Sequence, residues 1–204
     1  MNQFNFSELS AQDRYKLLTA SVIPRPIAWV SSINEDAVIN LAPFSFFSIA
    51  STAKPLMSLG VNRENGRIKD TALNIITQKE AVVHIAGVED LESLNMSSKD
   101  CERNESEVAL CNLTPISSQT IQTPGIKEAK IRMETKLYQH QEIKNDQGQT
   151  VTDFFLLEVT MFYVDDAIFD QDKGYIDAIK LNPLSRLAGT LYSGITKPQD
   201  IKRP

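Results

Sequence analysis

The sequence contains few of the residues on which common catalytic and binding motifs depend. Its 204 residues include eight glycines, two histidines, two cysteines and one tryptophan. The glycines do not form the Gly-x-Gly-x-x-Gly pattern of a Rossmann dinucleotide site, and Walker, Gly-x-Ser-x-Gly and His-Glu-x-x-His motifs are also missing. With two histidines, a multi-histidine metal site is not expected. If the protein is an enzyme, we therefore expect a cofactor to carry the chemistry.

Charge and hydropathy argue against several other classes. The net charge of −5 and the pI near 5.1 argue against a nucleic-acid or anionic-membrane surface. No apolar run approaches the length that spans a bilayer, and the first residues do not begin a signal peptide. Cys101 and Cys111 form no CxxC pair and have no histidine nearby, so zinc and redox motifs are not supported. We expect a cytoplasmic protein with no metal, nucleic-acid or membrane partner.

Most of the remaining sequence is typical of strands arranged in hairpins. Apolar, β-branched runs separated by polar turns predict strands over residues 27–33, 38–42, 56–61, 81–86, 131–143 and 151–164. The run Phe154-Phe155-Leu156-Leu157 predicts burial on both faces of the last strand. There is no internal repeat and no alternation of strands with helices. The pattern predicts a mainly β protein, an antiparallel barrel with a few short peripheral helices, in one domain over residues 1–204.

Two short helices are predicted in the first half of the chain. Ser10 and Asp13 form a capping box for a helix that ends at about residue 17 or 18, and in any case before Pro24. Residues 67–76 show helical periodicity, with Asp70 or Thr71 as the expected cap.

The start of the second helix has two interpretations. A helix N-terminus with Lys69 and the Thr71 hydroxyl is a candidate phosphate site. The alternative, a capped surface helix with a solvated lysine, is the more common arrangement.

Residues 40–48, NLAPFSFFS, fit neither a regular strand nor a solvent loop. Pro43 is expected to interrupt the strand because it cannot donate a backbone hydrogen bond. The residues after it are too apolar for an exposed loop. The segment therefore predicts a buried loop wrapped around a group that is not protein.

Three further residues have open roles. His84 lies in an apolar strand and is expected to be a hydrogen-bonded core residue rather than a catalyst. Arg186 and Tyr192, in the small-residue tail, are expected either to close a site or to dock the end of the chain.

Three motifs follow one another along the chain: PRPIAWVS at 24–31, NLAPFSFF at 40–47, and KDT at 69–71 followed by Asn74-Ile75. In order and spacing they resemble the flavin reductase-like, flavoredoxin-type family of FMN-binding split barrels. The resemblance extends from about residue 15 to residue 88, and a weaker similarity is found at Arg186–Gly189 and Tyr192. It implies an antiparallel split β-barrel that binds FMN non-covalently and works as a homodimer.

The resemblance also implies a cofactor site. It implies that the flavin ring lies along residues 40–48, that residues 30–32 run beside the ring and ribityl chain, and that residues 69–71 lie near the phosphate. Two alternative roles remain open for Arg25: it binds a phosphate, or it fixes the turn before the strand. No catalytic side chain is implied. The implied cofactor-binding residues are Arg25, Val30, Ser31, Ser32, Asn40, Leu41, Ala42, Pro43, Ser45, Phe47, Ser48, Lys69, Asp70 and Thr71.

The chain departs from the family pattern in three places. The hairpin turn has Glu35-Asp36-Ala37 where the family usually has a glycine, so Asn34 or Asp36 is expected to take any left-handed conformation. His84 replaces an asparagine, and Ala188 replaces the first of two glycines after Arg-Leu.

The resemblance supports three functional hypotheses. The leading one is an FMN-dependent oxidoreductase, an NAD(P)H:flavin reductase in which hydride passes from the nicotinamide to flavin N5. The first alternative is an FMN-binding electron carrier that takes electrons from a reduced protein donor. The second is a non-catalytic split-barrel binding protein. Titration with nicotinamide nucleotides and FMN uptake distinguish the three.

Overall fold

The computed structural model describes residues 1–202. In this range the helices are α1 (Ala11–Ser21), α2 (Asp70–Gln78), α3 (Leu91–Met96), α4 (Glu107–Leu110) and α5 (Ala178–Leu181), with a 3₁₀ turn at Val88–Asp90. The strands are β1 (Arg25–Pro26), β2 (Ala28–Ile33), β3 (Ile39–Phe44), β4 (Phe47–Ser51), β5 (Leu56–Asn62), β6 (Glu80–Ile85), β7 (Pro115–Ile116), β8 (Gly125–Ile126), β9 (Ile131–Lys144), β10 (Thr150–Val164), β11 (Phe169–Asp170), β12 (Tyr175–Ile176), β13 (Ser185–Arg186) and β14 (Tyr192–Ser193). The predicted mainly β class is confirmed.

Seven strands form one antiparallel sheet that curls into a barrel. Its order is β3-β2-β6-β9-β10-β5-β4. The two edge strands, β3 and β4, are joined by only Ser45 and Phe46, so the sheet must bend round until its first and last strands meet. Within the described residues these two strands share no ladder of hydrogen bonds. The barrel therefore keeps an open seam, as predicted for a split barrel, and residues 40–48 cross that seam.

Strand β3 continues through Pro43, so the expectation that this proline ends the strand is wrong. Pro43 pairs with Trp29 of β2. Leu41, two residues earlier and in the same phase, donates its N–H to the Glu107 carboxylate rather than to β2. At Pro43 the missing N–H likewise faces away from the sheet, which is why an edge strand accommodates a proline there. Residues 40–48 are therefore two strand ends and a tight connection, not a loop.

Apolar side chains pack on both faces of the sheet. One cluster, which includes Ala28, Val30, Leu59, Phe155 and Leu157, fills the barrel. A second cluster lies outside it and includes Ile27, Trp29, Leu41, Leu94 and Ile126. Strand β2 supplies alternate residues to the two clusters, because successive side chains on a strand point to opposite faces.

The first helix follows its prediction closely. The Ser10 hydroxyl accepts a hydrogen bond from the Asp13 N–H at 3.1 Å, which confirms Ser10 as the N-cap residue. The Asp13 carboxylate accepts from the Ser10 hydroxyl rather than from the Ser10 N–H, so the predicted capping box is only half formed. The helix ends at Ser21, later than residue 17 or 18 but before Pro24.

The second helix begins at Asp70 with Lys69 as its N-cap residue, so the prediction that Asp70 or Thr71 would cap it is wrong. Both side chains have other partners. The Asp70 carboxylate pairs with Arg103, and the Thr71 hydroxyl accepts a hydrogen bond from Asn40.

In the β2–β3 turn, which has no glycine, the left-handed backbone conformation falls on a different residue from the two that were expected. Ala37 takes the left-handed conformation, with φ of 60°, and neither Asn34 nor Asp36 does. The Asn34 side-chain oxygen accepts hydrogen bonds from the N–H groups of Asp36 and Val38. These two bonds stabilise the turn, so the strained position can fall on an alanine.

Strands β9 and β10 form the predicted long hairpin. Asp153, Phe155 and Leu157 are buried on its inner face, whereas Phe154 and Leu156 on the outer face are half-buried. The predicted burial on both faces is therefore incomplete in a single chain. No helix within residues 1–202 has the length and apolar character needed to cross a membrane.

Candidate functional site

Residues 40–48 lie between two cavities. The first, the charged cavity, has a volume of about 220 Å³ and is lined by residues 40, 42–44, 64, 67–71, 97–102 and 107. The second, the apolar groove, has a volume of about 420 Å³ and is lined by residues 18, 19, 22, 24–26 and 45–48. The sequence-predicted residues are therefore divided between two spaces.

The fourteen predicted residues fall into three groups. Six line the charged cavity: Asn40, Ala42, Pro43, Lys69, Asp70 and Thr71. Four line the apolar groove: Arg25, Ser45, Phe47 and Ser48. Four are fully buried and line neither space: Val30, Ser31, Ser32 and Leu41. The structure thus joins the second and third sequence motifs in one cavity, although they are far apart in the chain.

The start of α2 forms the cationic end of the charged cavity. Arg67 and Lys69 are exposed there, and within residues 1–202 neither side chain has a hydrogen-bond or ion-pair partner. The first backbone N–H groups of α2, from Asp70 to Ala72, have no intrahelical acceptor because they open the helix. Two free cations beside free amides at the positive end of a helix dipole favour an anion.

A polar network connects this end of the cavity to the sheet. Asn40 Nδ2 donates to Thr71 Oγ1 at 2.7 Å and contacts Ser32 Oγ at 3.5 Å. Asn74 Nδ2 donates to the same Ser32 oxygen at 3.1 Å. Because Thr71 Oγ1 accepts from Asn40, its own hydroxyl proton remains available to a ligand. Ser32 thus supports the cavity indirectly, through Asn40.

The open edge of β3 is covered by residues 103–107, which we call the edge strap. Ser106 Oγ donates to the carbonyl of Ile39 at 2.6 Å, and Glu107 Oε2 accepts from the N–H of Leu41 at 2.9 Å. Burial raises the pKa of the Glu107 carboxyl above its ordinary value. The side-chain hydrogen bonds of the edge strap take the place of a neighbouring strand along β3. As a result, the Leu41 N–H already has a protein partner.

The seam of the barrel leaves two backbone donors unused. Within residues 1–202, the N–H groups of Ser45 and Phe46 have no hydrogen-bond partner. The Ser45 hydroxyl accepts from Arg25 Nε at 3.2 Å and so can still donate its proton. Ser45 and Phe46 directly follow Phe44, which is half-buried and lines the charged cavity. An apolar surface with donors along one side suits the polar edge of a flat heterocycle.

Arg25 is held entirely by protein groups. Its guanidinium donates to Ser45 Oγ, to the carbonyls of Thr19 and Val22 at the end of α1, and to the carbonyl of Leu187 in the tail. The side chain is 7% exposed. These contacts match the second role considered for Arg25, a lock before the strand.

His84 is a core residue, as expected from the sequence. Its Nδ1 lies 2.8 Å from the carbonyl oxygen of Trp29, and its Nε2 accepts from the Ile126 N–H at 2.9 Å. The neutral ring satisfies both groups, with the proton on Nδ1. Burial lowers the pKa of His84 to about 4.

Arg186 and Tyr192 belong to the docked tail. The Arg186 guanidinium lies 4.5 Å from the centre of the Tyr192 ring and donates to its hydroxyl and to the Gly189 carbonyl. Tyr192 packs against the outer cluster. Of the two roles considered from the sequence, the contacts match docking of the chain end.

Some cavity residues were missed from the sequence. Arg67 could have been found, because it lies two residues before Lys69 in the same predicted helix start. Residues 97–102 and Glu107 could not, because they lie in a stretch of the sequence that contains no recognisable motif. Among residues 1–202, no group of three or more His, Cys, Asp or Glu side chains is arranged to hold a metal ion.

A model of the flavin reductase-like domain matches residues 20–180 of the chain. The chain belongs to this family. The family places it among flavin-related oxidoreductases and indicates flavin binding, which agrees with the resemblance of the three motifs. The free cations, free amides and apolar wall described above fit the phosphate, the polar ring edge and the ring face of such a cofactor.

The chain is also similar to individual proteins, one of them known by sequence and two by structure. The uncharacterized protein YwrF of Bacillus subtilis is 42% identical over 201 residues, which cover 98% of each chain. The structure of nitrilotriacetate monooxygenase component B from Bacillus cereus has a TM-score of 0.95 and 38% identity, with 98% of both chains covered. The 2-nitrobenzoate 2-nitroreductase NbaA of Pseudomonas fluorescens has a TM-score of 0.89 and 28% identity, covering 100% of this chain and 96% of its own.

Proposed function

We propose that the protein is an FMN-dependent oxidoreductase, and specifically an NAD(P)H:flavin reductase. When bound, the flavin supplies the chemistry by accepting a hydride from the nicotinamide at its N5 atom. The observation that carries the proposal is the charged cavity, in which the apolar end of β3 and the cationic start of α2 face one space. The names of the two solved relatives, a monooxygenase component and a nitroreductase, are consistent with redox chemistry.

The proposal assigns a separate task to each part of the site. Arg67, Lys69, the Thr71 hydroxyl and the first amides of α2 would hold the phosphate. Ala42, Pro43 and Phe44 would lie against the flavin. The amides of Ser45 and Phe46 and the Ser45 hydroxyl would donate to the polar edge of the ring. Among the residues first predicted, Val30, Ser31, Ser32 and Leu41 would act from behind this wall, since their side chains are buried.

In this proposal the charged cavity would hold only part of the flavin. Its volume of about 220 Å³ is below the few hundred Å³ that are typical of complete ligand pockets. The ring would therefore extend from the cavity along residues 44–48, toward the open seam. We propose that a second copy of the chain covers this opening in a homodimer. The exposed Phe46 and Ile49, which are 40% and 67% accessible in the single chain, are suited to such a contact.

Visible spectroscopy of the purified protein under anaerobic conditions tests the proposed function. We expect flavin absorption bands after loading with FMN, and we expect NADH or NADPH to bleach them. Bands that neither nucleotide bleaches would contradict the reductase and favour the electron carrier. A protein that takes up no FMN would contradict both and favour the non-catalytic binding protein.

A further inference from the structure

Arg103 of the edge strap connects two acidic residues beside the charged cavity. Its Nη1 donates to Asp70 Oδ1 at 2.8 Å, and its Nη2 pairs with the Glu35 carboxylate in the β2–β3 turn. The hydrogen bonds to Glu35 and then to Asp70 raise the pKa of the Arg103 guanidinium, against the opposing effect of burial. Arg103 therefore carries a fixed positive charge between the turn and the start of α2.

The charged cavity has an unfavourable balance of charge for an anion. Five acidic residues and three basic residues line it. Asp70 is the critical acid, because it is the first residue of α2 and its carboxylate stands beside the helix amides that favour an anion. Without a partner, this carboxylate would repel a phosphate at the same helix end.

We propose that Arg103 is a positioning residue for the phosphate end of the flavin site. Its guanidinium neutralises the Asp70 carboxylate and holds it to one side, so that the start of α2 presents its amides, Arg67 and Lys69 to the phosphate. Asp70 then contributes its backbone N–H rather than its side chain. This inference rests on the proposed function and adds to it a residue outside all three sequence motifs.

The strap has attachments that do not depend on the guanidinium. The Arg103 carbonyl accepts from Asn34 Nδ2 at 3.0 Å. Ser106 and Glu107 bind the edge of β3 through Ile39 and Leu41. Replacement of the guanidinium should therefore leave the strap in place. The expected effect is a change of charge at the phosphate end, not a loss of the cavity wall.

Binding of FMN and riboflavin to the flavin-free protein at low ionic strength tests the proposal, because the two ligands differ only in the phosphate. We expect Arg103→Gln to weaken FMN binding about tenfold and riboflavin binding less than about twofold. Adding Asp70→Asn should then restore most of the lost FMN affinity, because the unpaired carboxylate is removed. Glu35→Gln is the matched control and should leave the preference for FMN unchanged, since the Arg103–Asp70 pair remains.

Four outcomes separate this inference from the proposed function. An equal loss of affinity for both flavins in Arg103→Gln would overturn the inference, because it would show a structural role of the strap. No loss for either flavin would overturn it as well. If the wild-type chain bound neither FMN nor riboflavin, the proposed function and the inference would be overturned together. If Arg103→Gln does not fold, the single variant Asp70→Asn tests the inference instead. It should raise the ratio of FMN affinity to riboflavin affinity, and an unchanged or lower ratio would overturn the inference.

Discussion

Arg25 and Lys69 lie on opposite sides of residues 40–48 and are used in opposite ways. Arg25 is buried in the wall of the apolar groove, where it donates four hydrogen bonds to protein acceptors. Lys69 is exposed at the charged cavity, and within residues 1–202 its ammonium group has no partner. Both were predicted to bind the cofactor. The comparison indicates that Arg25 stabilises the fold, whereas Lys69 is available to a ligand.

The same distinction applies to other polar side chains of the molecule. His84 is fully buried with a partner on each ring nitrogen, whereas Arg67 has no partner in the described part of the chain. Residues whose polar atoms are all paired within the protein should affect stability when they are changed. Residues with unused donors should affect ligand affinity. Substitutions of both kinds of residue distinguish these two roles.

Arg25→Ala should destabilise the protein by about 3 to 4 kcal/mol, because it removes charged hydrogen bonds and leaves buried carbonyl groups without donors. Arg25→Lys should recover little of this loss, since one ammonium group cannot reach α1, Ser45 and the tail together. Chemical denaturation measures both. Lys69→Ala is the control and should change the free energy of unfolding by less than about 0.5 kcal/mol. Similar effects of the two alanine variants would contradict the comparison.

Lowering the pH should destabilise the protein through His84. Its pKa is about 4 in the folded protein, against 6.5 for the unperturbed side chain. As the pH falls, the unfolded chain therefore binds a proton at His84 before the folded protein does. The contribution of the neutral His84 ring to the free energy of unfolding is fully present above pH 6.5 and is lost as the pH falls from about 6.5 to about 4. The loss from this group should be about 3 kcal/mol.

The His84 prediction is checked by denaturation at several pH values in the wild type and in His84→Asn. The variant cannot titrate in this range, so its stability should fall less steeply between pH 6.5 and 4, whatever its stability at neutral pH. Buried carboxylates such as Asp153 contribute equally to both proteins. Parallel curves would show that the buried ring does not control the acid response.

Lys69→Ala and Arg67→Ala should each weaken FMN binding about tenfold, or about 1.4 kcal/mol, by removing a cation from the phosphate end. Riboflavin binding should change little, because riboflavin has no phosphate. Fluorescence titration measures both affinities. Lys54→Ala is a suitable control, since Lys54 pairs with Glu158 and does not line either cavity. Unchanged FMN affinity in both cavity variants would move the phosphate site elsewhere.

Thr71→Ala should produce the smallest effect, a loss of FMN affinity of about fivefold, because a single hydroxyl donor is removed. Thr71→Ser keeps the hydroxyl and should bind FMN nearly as well as the wild type. The same titration distinguishes the two variants. If serine and alanine behaved alike, the Thr71 hydroxyl would have no role in binding the phosphate.

Much of the fold could be predicted from local patterns. The hairpin of β9 and β10, the cap at Ser10 and the buried His84 all depend on residues close in sequence or on simple alternation. The behaviour of Pro43 could not be predicted in this way. Whether a proline disrupts a strand depends on which neighbour its missing N–H would have faced, and only the position of β3 at the sheet edge decides that.

The family, the strand-rich class and the three motifs that suggest a flavin can all be recognised from the order of the amino acids. How those motifs are used depends on contacts that form only in the folded chain. The tertiary structure joined Asn40 to Thr71, enclosed Arg25 among fixed acceptors, and brought Arg103 to Asp70 from a segment without a recognisable motif. The physical reason is that the role of a charged side chain depends on whether its hydrogen-bonding groups are already paired, and pairing partners here are far apart in the chain.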